Sequence, residues 1–253
     1  MAASVGAARR PIPVPRVGAI VRAAGTDLYF NSWRLVPANV AWAIGLIVVI
    51  VAALAWPPAL LALPALAVPV AGIHELAALI VRGEPVSFGD FSAGMRRNAW
   101  PALALGYGAA ALAIVLATNV VSGLLAGGLP GWPMAVLAGY GLLAVGTFLV
   151  AAWPLLADPQ RAQQPAPQRL RLAVTVCLAR PGRMLAFAAG IWLFLAISLI
   201  AFAAIAMVSV AVAALVATRF VLPIADALEG RTGACGVRSG GPRAASRSHR
   251  VDT

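Results

Sequence analysis

The chain has 253 residues, of which 62% are hydrophobic and 11% charged, with a mean hydropathy of +0.91 and a net charge of +11. Soluble domains contain roughly 45–50% apolar and about 25% charged residues, so this composition excludes an ordinary soluble protein and indicates a membrane protein. All nineteen basic residues are arginine; they lie in tails and short loops and not on a soluble, aromatic-rich module, which argues against nucleic-acid binding.

The two ends of the chain are predicted to be disordered cytoplasmic tails. Residues 1–25 and 230–253 are rich in glycine, serine, proline and arginine and are too polar to form a core. The N-terminal segment does not resemble a cleavable signal peptide, because the first long apolar run begins only after about 35 residues and no cleavage pattern follows it. We therefore expect this first run to remain as a membrane anchor.

Six apolar segments between the tails predict a transmembrane domain over residues 26–229. A helix needs roughly 20 apolar residues to cross about 30 Å of hydrocarbon. The fold class is therefore all-α, a polytopic transmembrane helix bundle. The predicted spans are residues 36–56, 59–82, 101–125, 134–157, 184–204 and 207–228.

Two of these spans have an unusual sequence. Pro64, Pro69 and Gly72 predict an irregular or kinked first half for the second span, followed by a regular helix from about residue 70 to 82. The last apolar block, 184–228, would be about 68 Å long as a single helix, more than twice the hydrocarbon thickness. We expect two spans there, joined by a tight turn near residues 204–208.

The distribution of arginine predicts the orientation in the membrane. Short cytoplasmic loops carry an excess of basic residues. With six spans and the N-terminus inside, all arginines fall on the cytoplasmic side or near a cytoplasmic helix end, whereas the outer connections, residues 57–69 and the predicted turn 126–133, are uncharged. The sequence therefore predicts a bacterial inner-membrane protein with both termini in the cytoplasm. Anionic lipid headgroups are the expected partners of its arginines.

Two short cytoplasmic helices, at residues 88–98 and 168–180, are predicted to lie in the membrane interface. In the first segment, apolar residues recur at spacings of three to five and polar residues occupy the remaining surface, which is typical of an interfacial amphipathic helix. Before the second segment, the polar, proline-rich stretch 158–168 is predicted to be a surface linker. The residues of the first interfacial segment are Phe88, Phe91, Met95, Arg96, Arg97, Asn98 and Trp100.

Glu75 and Arg219 are the two ionisable residues predicted to lie deepest in the membrane. Glu75 is seven residues from the expected end of its span at Arg82, about 10 Å, and Arg219, seven residues before Asp226, is about equally deep if the last span ends near Leu228. Ionisable groups at that depth usually face the protein interior, so we predict an intramembrane ion pair between them. The alternative is that Arg219 marks a helix end and extends to the interface. An always-charged arginine would make such a pair a structural link and not a proton relay.

His74, Asn39 and Asn119 are polar positions within predicted spans. The two asparagines are expected to form hydrogen bonds between helices. The alternative is that such side chains line a substrate path, with His74, Glu75 and Asn119 around a polar cavity. "HEL" at 74–76 does not form a zinc motif, because position 78 is alanine. Cys177 and Cys235 have neither metal-ligand nor disulfide spacing.

Three stretches in the first half of the chain resemble the YesL-like proteins, a bacterial membrane family whose domain has no assigned function. They are "LVPANVAWAI" (35–44), the proline-bearing stretch ending in "GIHELAALIVRGE" (72–84), and "FGDFSAGMRRNAWPAL" (88–103). Such proteins often accompany sugar-uptake systems, and the resemblance implies no catalytic residues. Gly94 and Trp100 depart from the family pattern. The matching positions are Asn39, Trp42, Arg82 to Glu84, Phe91, Arg97 and Asn98.

These observations predict a non-enzymatic accessory component of a membrane system, such as carbohydrate uptake. The expected partners are the bilayer and a membrane transport or signalling complex, without nucleic acid, and no cofactor is expected. No nucleophile–base pair, paired carboxylates or phosphate-binding loop points to an enzyme. The alternative is a small transporter with its site near the irregular second helix, since broken helices often mark transport sites.

Overall fold

The protein is a multi-pass integral membrane protein built from helices. A computed structural model describes residues 16–200 and 208–230, and no β-strand occurs among them, which confirms the all-α prediction. Six helical segments are long and apolar enough to cross a membrane. The predicted tails beyond these limits, and most of the turn predicted near 204–208, lie outside the described residues.

Seven α-helices and two 3₁₀ segments make up the described chain. Pro57–Leu66 is the 3₁₀ segment that leads into the second helix, and Pro159–Arg161 is the shorter one after the fourth. The α-helices are α1 (Val17–Ala55), α2 (Ala67–Val81), α3 (Phe88–Ala126), α4 (Gly128–Leu156), α5 (Ala166–Ala179), α6 (Pro181–Ile200) and α7 (Val210–Leu228).

Helix α1 is longer than the sequence predicted. It begins at Val17, so the predicted disordered tail is wrong for residues 17–25. The helix bends at Asn31, where φ is −114° and ψ is 16°. The part after this bend, residues 32–55, is about 36 Å long and by itself matches the hydrocarbon thickness.

Helix α3 is also continuous where a break was predicted. Residues 88–98 are its first turns and not a separate interfacial helix, and Pro101 lies inside the helix. A capping box fixes its start, in which the Ser87 N–H donates to Asp90 Oδ2 at 2.6 Å. Its 39 residues span about 58 Å, so this first part extends out of the hydrocarbon. A separate helix, α5, is present where the second interfacial helix was predicted, at 168–180; its location in the membrane interface stays a prediction.

The irregular first half of the second span is confirmed. Pro57, Pro58 and Pro64 lack the N–H groups that an α-helix needs, and the chain forms the 3₁₀ segment before the regular helix begins at Ala67. The turn predicted over 126–133 is shorter than expected. Only Gly127 and Gly128 have positive φ values, 61° and 64°, and α4 starts immediately.

Helices α2 and α7 lie at the centre of the bundle and the others surround them. The outer faces of α1, α3 and α4 carry exposed aliphatic side chains, as expected for lipid contact. Exposed Trp33 on α1 and Trp56 at its C-cap are 23 residues apart, about 34 Å along the helix, slightly more than the hydrocarbon thickness, as expected for tryptophans near the two membrane interfaces.

Candidate functional site

Charged side chains gather at one end of the bundle, where the C-terminal ends of α2, α4 and α7 meet. Arg161 is 0% exposed and Asp158 is 1% exposed, so the prediction of a surface linker at 158–168 is wrong for these two residues. We call this group the charged cluster. Its members are Arg82, Asp158, Arg161, Asp226 and Glu229.

In the charged cluster, each guanidinium group bridges several carboxylates. Arg82 donates from Nε and Nη2 to the two oxygens of Asp158, at 3.0 and 2.7 Å, and reaches Asp226 at 3.3 Å. Arg161 donates to Asp226 at 2.7 Å and to Glu229 at 3.1 Å, and also binds Asp158. The two arginines therefore hold the ends of three helices together.

The electrostatics of the charged cluster keep its arginines ionised. Burial alone would lower the pKa of Arg82, but its bonds to Asp158 and Asp226 outweigh burial and raise the pKa above the usual range. For Arg161, burial is likewise outweighed by Glu229, Asp158 and Asp226, and the pKa rises. Permanently charged groups cannot relay protons, so the cluster is suited to a structural role.

The predicted ion pair between Glu75 and Arg219 is wrong. Glu75, which is 2% exposed, forms an ion pair with Arg97 and accepts a hydrogen bond from Asn98 Nδ2 at 3.0 Å. Arg219 binds Asp27 at 2.5 Å. The two residues lie at similar depths but on different faces of the bundle, because Glu75 points toward α3 and Arg219 toward the first turns of α1.

Close approach of α2 and α3 makes the Glu75 site possible. A Cβ atom on Gly94 would lie 2.7 Å from Glu75 Oε2, and one on Gly72 would lie 2.8 Å from the Phe91 ring. Phe91 and Asn98 are buried against α2 in this way.

The predicted apolar face of the first interfacial segment is therefore divided. Phe91 and Met95 pack inward against α2, whereas Phe88 and Trp100 are exposed, Trp100 at 83%. Arg96 is also exposed. Residues predicted to share one lipid-facing side thus lie on different sides of α3.

The two asparagines predicted to lie within spans are far apart in the structure. Asn39 is fully buried and its Oδ1 accepts the backbone N–H of Ala211 at 3.0 Å, which confirms an interhelical hydrogen bond. This bond satisfies a backbone N–H in the first turn of α7. Asn119 lies 25 residues beyond Gly94 on α3, about 37 Å away, so it cannot share a cavity with Glu75.

His74 is 7% exposed and stacks on Trp153, with ring centroids 6.1 Å apart and an interplanar angle of 16°. It lines an apolar cavity of about 690 Å³, which neither Glu75 nor Asn119 lines. Over residues 16–200 and 208–230, no three histidine, cysteine, aspartate or glutamate side chains are grouped so as to hold a metal ion.

Sequence reasoning missed the charged cluster, although one signal was present. Arg82, Asp158 and Asp226 each stand at or near the predicted cytoplasmic end of a span. Opposite charges that terminate neighbouring spans at the same membrane face are candidates for pairing. Comparison with protein families, with curated proteins and with solved structures finds no match to this chain.

Proposed function

We propose that this chain is a non-enzymatic accessory component of a bacterial inner-membrane system, with both termini in the cytoplasm. The observation that carries the proposal is the use of its acidic groups. Of the seven acidic residues in the described chain, five bind arginine, Asp90 caps α3, and only Glu84 has no such bond. Few acidic groups are therefore left for transport or catalysis.

The state of Glu75 disfavours the transporter alternative. A carboxylate that carries an ion or proton across the membrane must be reachable from each side in turn. Glu75 is buried, and its oxygens are occupied by Arg97 and Asn98. The ion pair with Arg97 and the hydrogen bond from Asn98 support a role for Glu75 in joining α2 to α3.

The resemblance to YesL-like proteins supplies the context for an accessory role, and carbohydrate uptake is the system that we propose. The exposed surface at the start of α3 supports binding to another protein. Trp100 is almost fully exposed there, beside the exposed Arg96, and this combination of an aromatic and an arginine is common at protein–protein contacts.

Unpaired arginines support binding to anionic lipid. Arg16 and Arg183 form no ion pair with any described residue. Both lie on the rim of an apolar cleft of about 810 Å³ that Phe187 and Phe220 line. Each arginine near an anionic membrane surface contributes about 1 kcal/mol to membrane binding. A lipid could therefore place its headgroup phosphate at the two arginines and its acyl chains in the cleft.

Site-specific photo-crosslinking in cells, with the photoreactive residue at Trp100, tests the accessory proposal. We expect a discrete adduct with one membrane protein. The matched control places the same residue at Ile114, an exposed aliphatic position further along α3, where only lipid adducts are expected. Lipid adducts alone at Trp100 would contradict the proposal, as would sugar uptake by the purified chain in proteoliposomes.

A further inference from the structure

A long apolar cleft separates α6 from α1 and α7. Its volume is about 810 Å³, within the usual range for small-molecule sites. Helix α6 packs mainly against α4 and makes little direct contact with α7 or α1. Helices in a membrane are held together by close packing, and where they do not touch, hydrocarbon chains fill the gap between them. We call this space the α6 cleft.

The floor of the α6 cleft is buried and its edges are open. Phe187 and Phe220 form part of the floor, where their rings stack with centroids 4.0 Å apart and both side chains are buried. Val17 and Phe194 lie at the edges and are exposed. An apolar cleft that opens on the side of a membrane bundle is reached from the bilayer, so its occupant is a lipid.

The length of the α6 cleft matches one leaflet of a bilayer. Along α6 its lining runs from Arg183 to Phe194, a separation of 11 residues, which corresponds to about 16 Å. Half of the hydrocarbon thickness is about 15 Å. The cleft therefore has the length that the acyl chain of a lipid occupies in a single leaflet.

The charge of the α6 cleft selects the headgroup of that lipid. Among the described residues that line the cleft, Arg16 and Arg183 are the only polar ones, and neither forms an ion pair within the described chain. Arg16 is the N-cap of α1 and Arg183 lies in the first turn of α6, and neither first turn contains an acidic residue. The positive ends of the two helix dipoles add to the guanidinium charges. Arginine binds phosphate oxygens through paired N–H donors, so the charge is complementary to an anionic phosphate headgroup.

We propose that the α6 cleft is a specific site for one anionic phospholipid, whose phosphate binds Arg16 and Arg183 and whose acyl chain lies between α1, α6 and α7. The bound lipid completes the packing of α6 and thereby stabilises the fold. This inference rests on the anionic-lipid binding proposed above and deepens it, and it does not depend on a protein partner.

The test uses the full chain in phosphatidylcholine nanodiscs that contain increasing mole fractions of phosphatidylglycerol with the same acyl chains. A lipid that binds only the folded protein raises the thermal midpoint. We expect the midpoint to rise with phosphatidylglycerol and then to saturate, and inorganic phosphate added to pure phosphatidylcholine nanodiscs to have no effect. A midpoint that does not depend on phosphatidylglycerol would overturn this inference together with the lipid binding on which it rests. An equal rise with inorganic phosphate would show that the arginines bind a free anion, and would overturn the lipid site.

Two double variants locate the headgroup. Arg16→Gln with Arg183→Gln removes both cleft arginines, whereas Arg22→Gln with Arg171→Gln removes the same charge from two exposed positions outside the cleft. Each arginine near an anionic headgroup contributes roughly fivefold to binding, so we expect the half-saturating mole fraction of phosphatidylglycerol to rise at least about tenfold in the first variant and much less in the second. Equal effects of the two pairs would show that the overall basic surface attracts the lipid. That outcome would overturn the cleft site and leave the proposed binding to anionic lipid in place.

Gly190→Leu tests the position of the acyl chain. Gly190 lines the cleft, and a Cβ atom there would meet nothing within 4 Å, so the leucine side chain extends into the space of the lipid chain while both arginines remain. We expect this variant to lose most of its stabilisation by phosphatidylglycerol. Gly139→Leu, at an equally open glycine on α4 outside the cleft, is the matched control and should respond like the unaltered chain.

Full stabilisation of Gly190→Leu by phosphatidylglycerol would show that no acyl chain lies in the cleft and would overturn the proposal. Size-exclusion elution and far-ultraviolet circular dichroism establish that each variant is folded. Where Gly190→Leu does not fold, the comparison of the two arginine pairs, all at exposed positions, still decides the question.

Discussion

Asn98 donates a hydrogen bond from Nδ2 to Oε2 of Glu75 over 3.0 Å, and both side chains are buried between α2 and α3. The same carboxylate forms an ion pair with Arg97, the preceding residue on α3. The Glu75 carboxylate thus binds two consecutive residues of α3. The arrangement joins the central helix α2 to α3, which with α1 is one of the two longest helices.

Gly94 is the residue that allows this approach. In Gly94→Ala the added Cβ would meet the Glu75 carboxylate at 2.7–2.8 Å and its Cβ at 3.0 Å, so the helices must separate and the buried bonds weaken. We expect the free energy of unfolding to fall by about 1–3 kcal/mol. Unfolding in mixed micelles with increasing denaturing detergent measures it.

Gly108→Ala is the control for that experiment, since it makes the same substitution on α3 where a Cβ meets nothing within 4 Å. Alanine is favoured over glycine in a helix by about 1 kcal/mol, so this variant should be unchanged or slightly more stable. Equal stability of the two variants would show that α2 and α3 are not in close contact at Glu75.

The charged cluster predicts a larger effect. Arg161→Met leaves Asp158, Asp226 and Glu229 without their shared cation, and removal of one partner from a buried ion network costs about 3–5 kcal/mol. We expect a correspondingly lower unfolding midpoint. Arg171→Met, at an exposed residue on α5 without an ion pair in the described chain, serves as the control and should be near neutral. A stable Arg161→Met variant would mean that the three helix ends are held by other contacts.

Cys177 is predicted to be an unreactive thiol. Burial raises its pKa above the ordinary value of 9.0, and reaction with maleimides requires the thiolate. The neutral thiol is the form favoured by folding, so this group destabilises the fold only as the pH rises above about 9. In a background without other cysteines, we expect much slower labelling of Cys177 at pH 7.5 than of a cysteine introduced at the exposed Leu178. Similar rates would show that the thiol is not buried against α4, where it lies 3.9 Å from the Thr147 carbonyl oxygen.

The number of spans and their approximate positions could be predicted from the sequence, because the length of a hydrophobic run and the positions of prolines are local properties. Six apolar runs of sufficient length predicted six spans, and Pro64, Pro69 and Gly72 predicted an irregular first half for the second span. The end of each helix was less predictable. Residues 88–98 have the composition of an interfacial helix. In the structure they are the first turns of α3, and their contacts with Gly72 and Glu75 hold them against α2.

The pairing of charges depended on which helices are neighbours. Depth along the chain places Glu75 and Arg219 at equal levels, but it does not give the direction in which each side chain points. Glu75 faces α3, and Arg219 faces the first turns of α1, which the sequence had placed partly in a disordered tail. A wrong start for α1 thus removed Asp27 from the set of possible partners.

The burial of Arg161 could not be predicted from its local sequence. A stretch of glutamine, proline and arginine has the composition of a surface linker, and most of it is partly exposed. Arg161 is buried because the ends of α2, α4 and α7 converge on it and each supplies an acidic or basic group. Convergence of three helix ends is a tertiary property, which no pattern within the linker reveals.

We propose that the half of the bundle in which the described charges lie faces the cytoplasm and that the opposite, uncharged end faces outward. Labelling of single cysteines in intact cells with a membrane-impermeant maleimide tests it most directly, using Glu84→Cys at the charged end and Leu129→Cys at the other, both exposed positions. We expect the cysteine at position 129 to be labelled in intact cells and the cysteine at position 84 to be labelled only after the membrane is opened. Labelling of position 84 in intact cells, or of both positions from the same side, would contradict it.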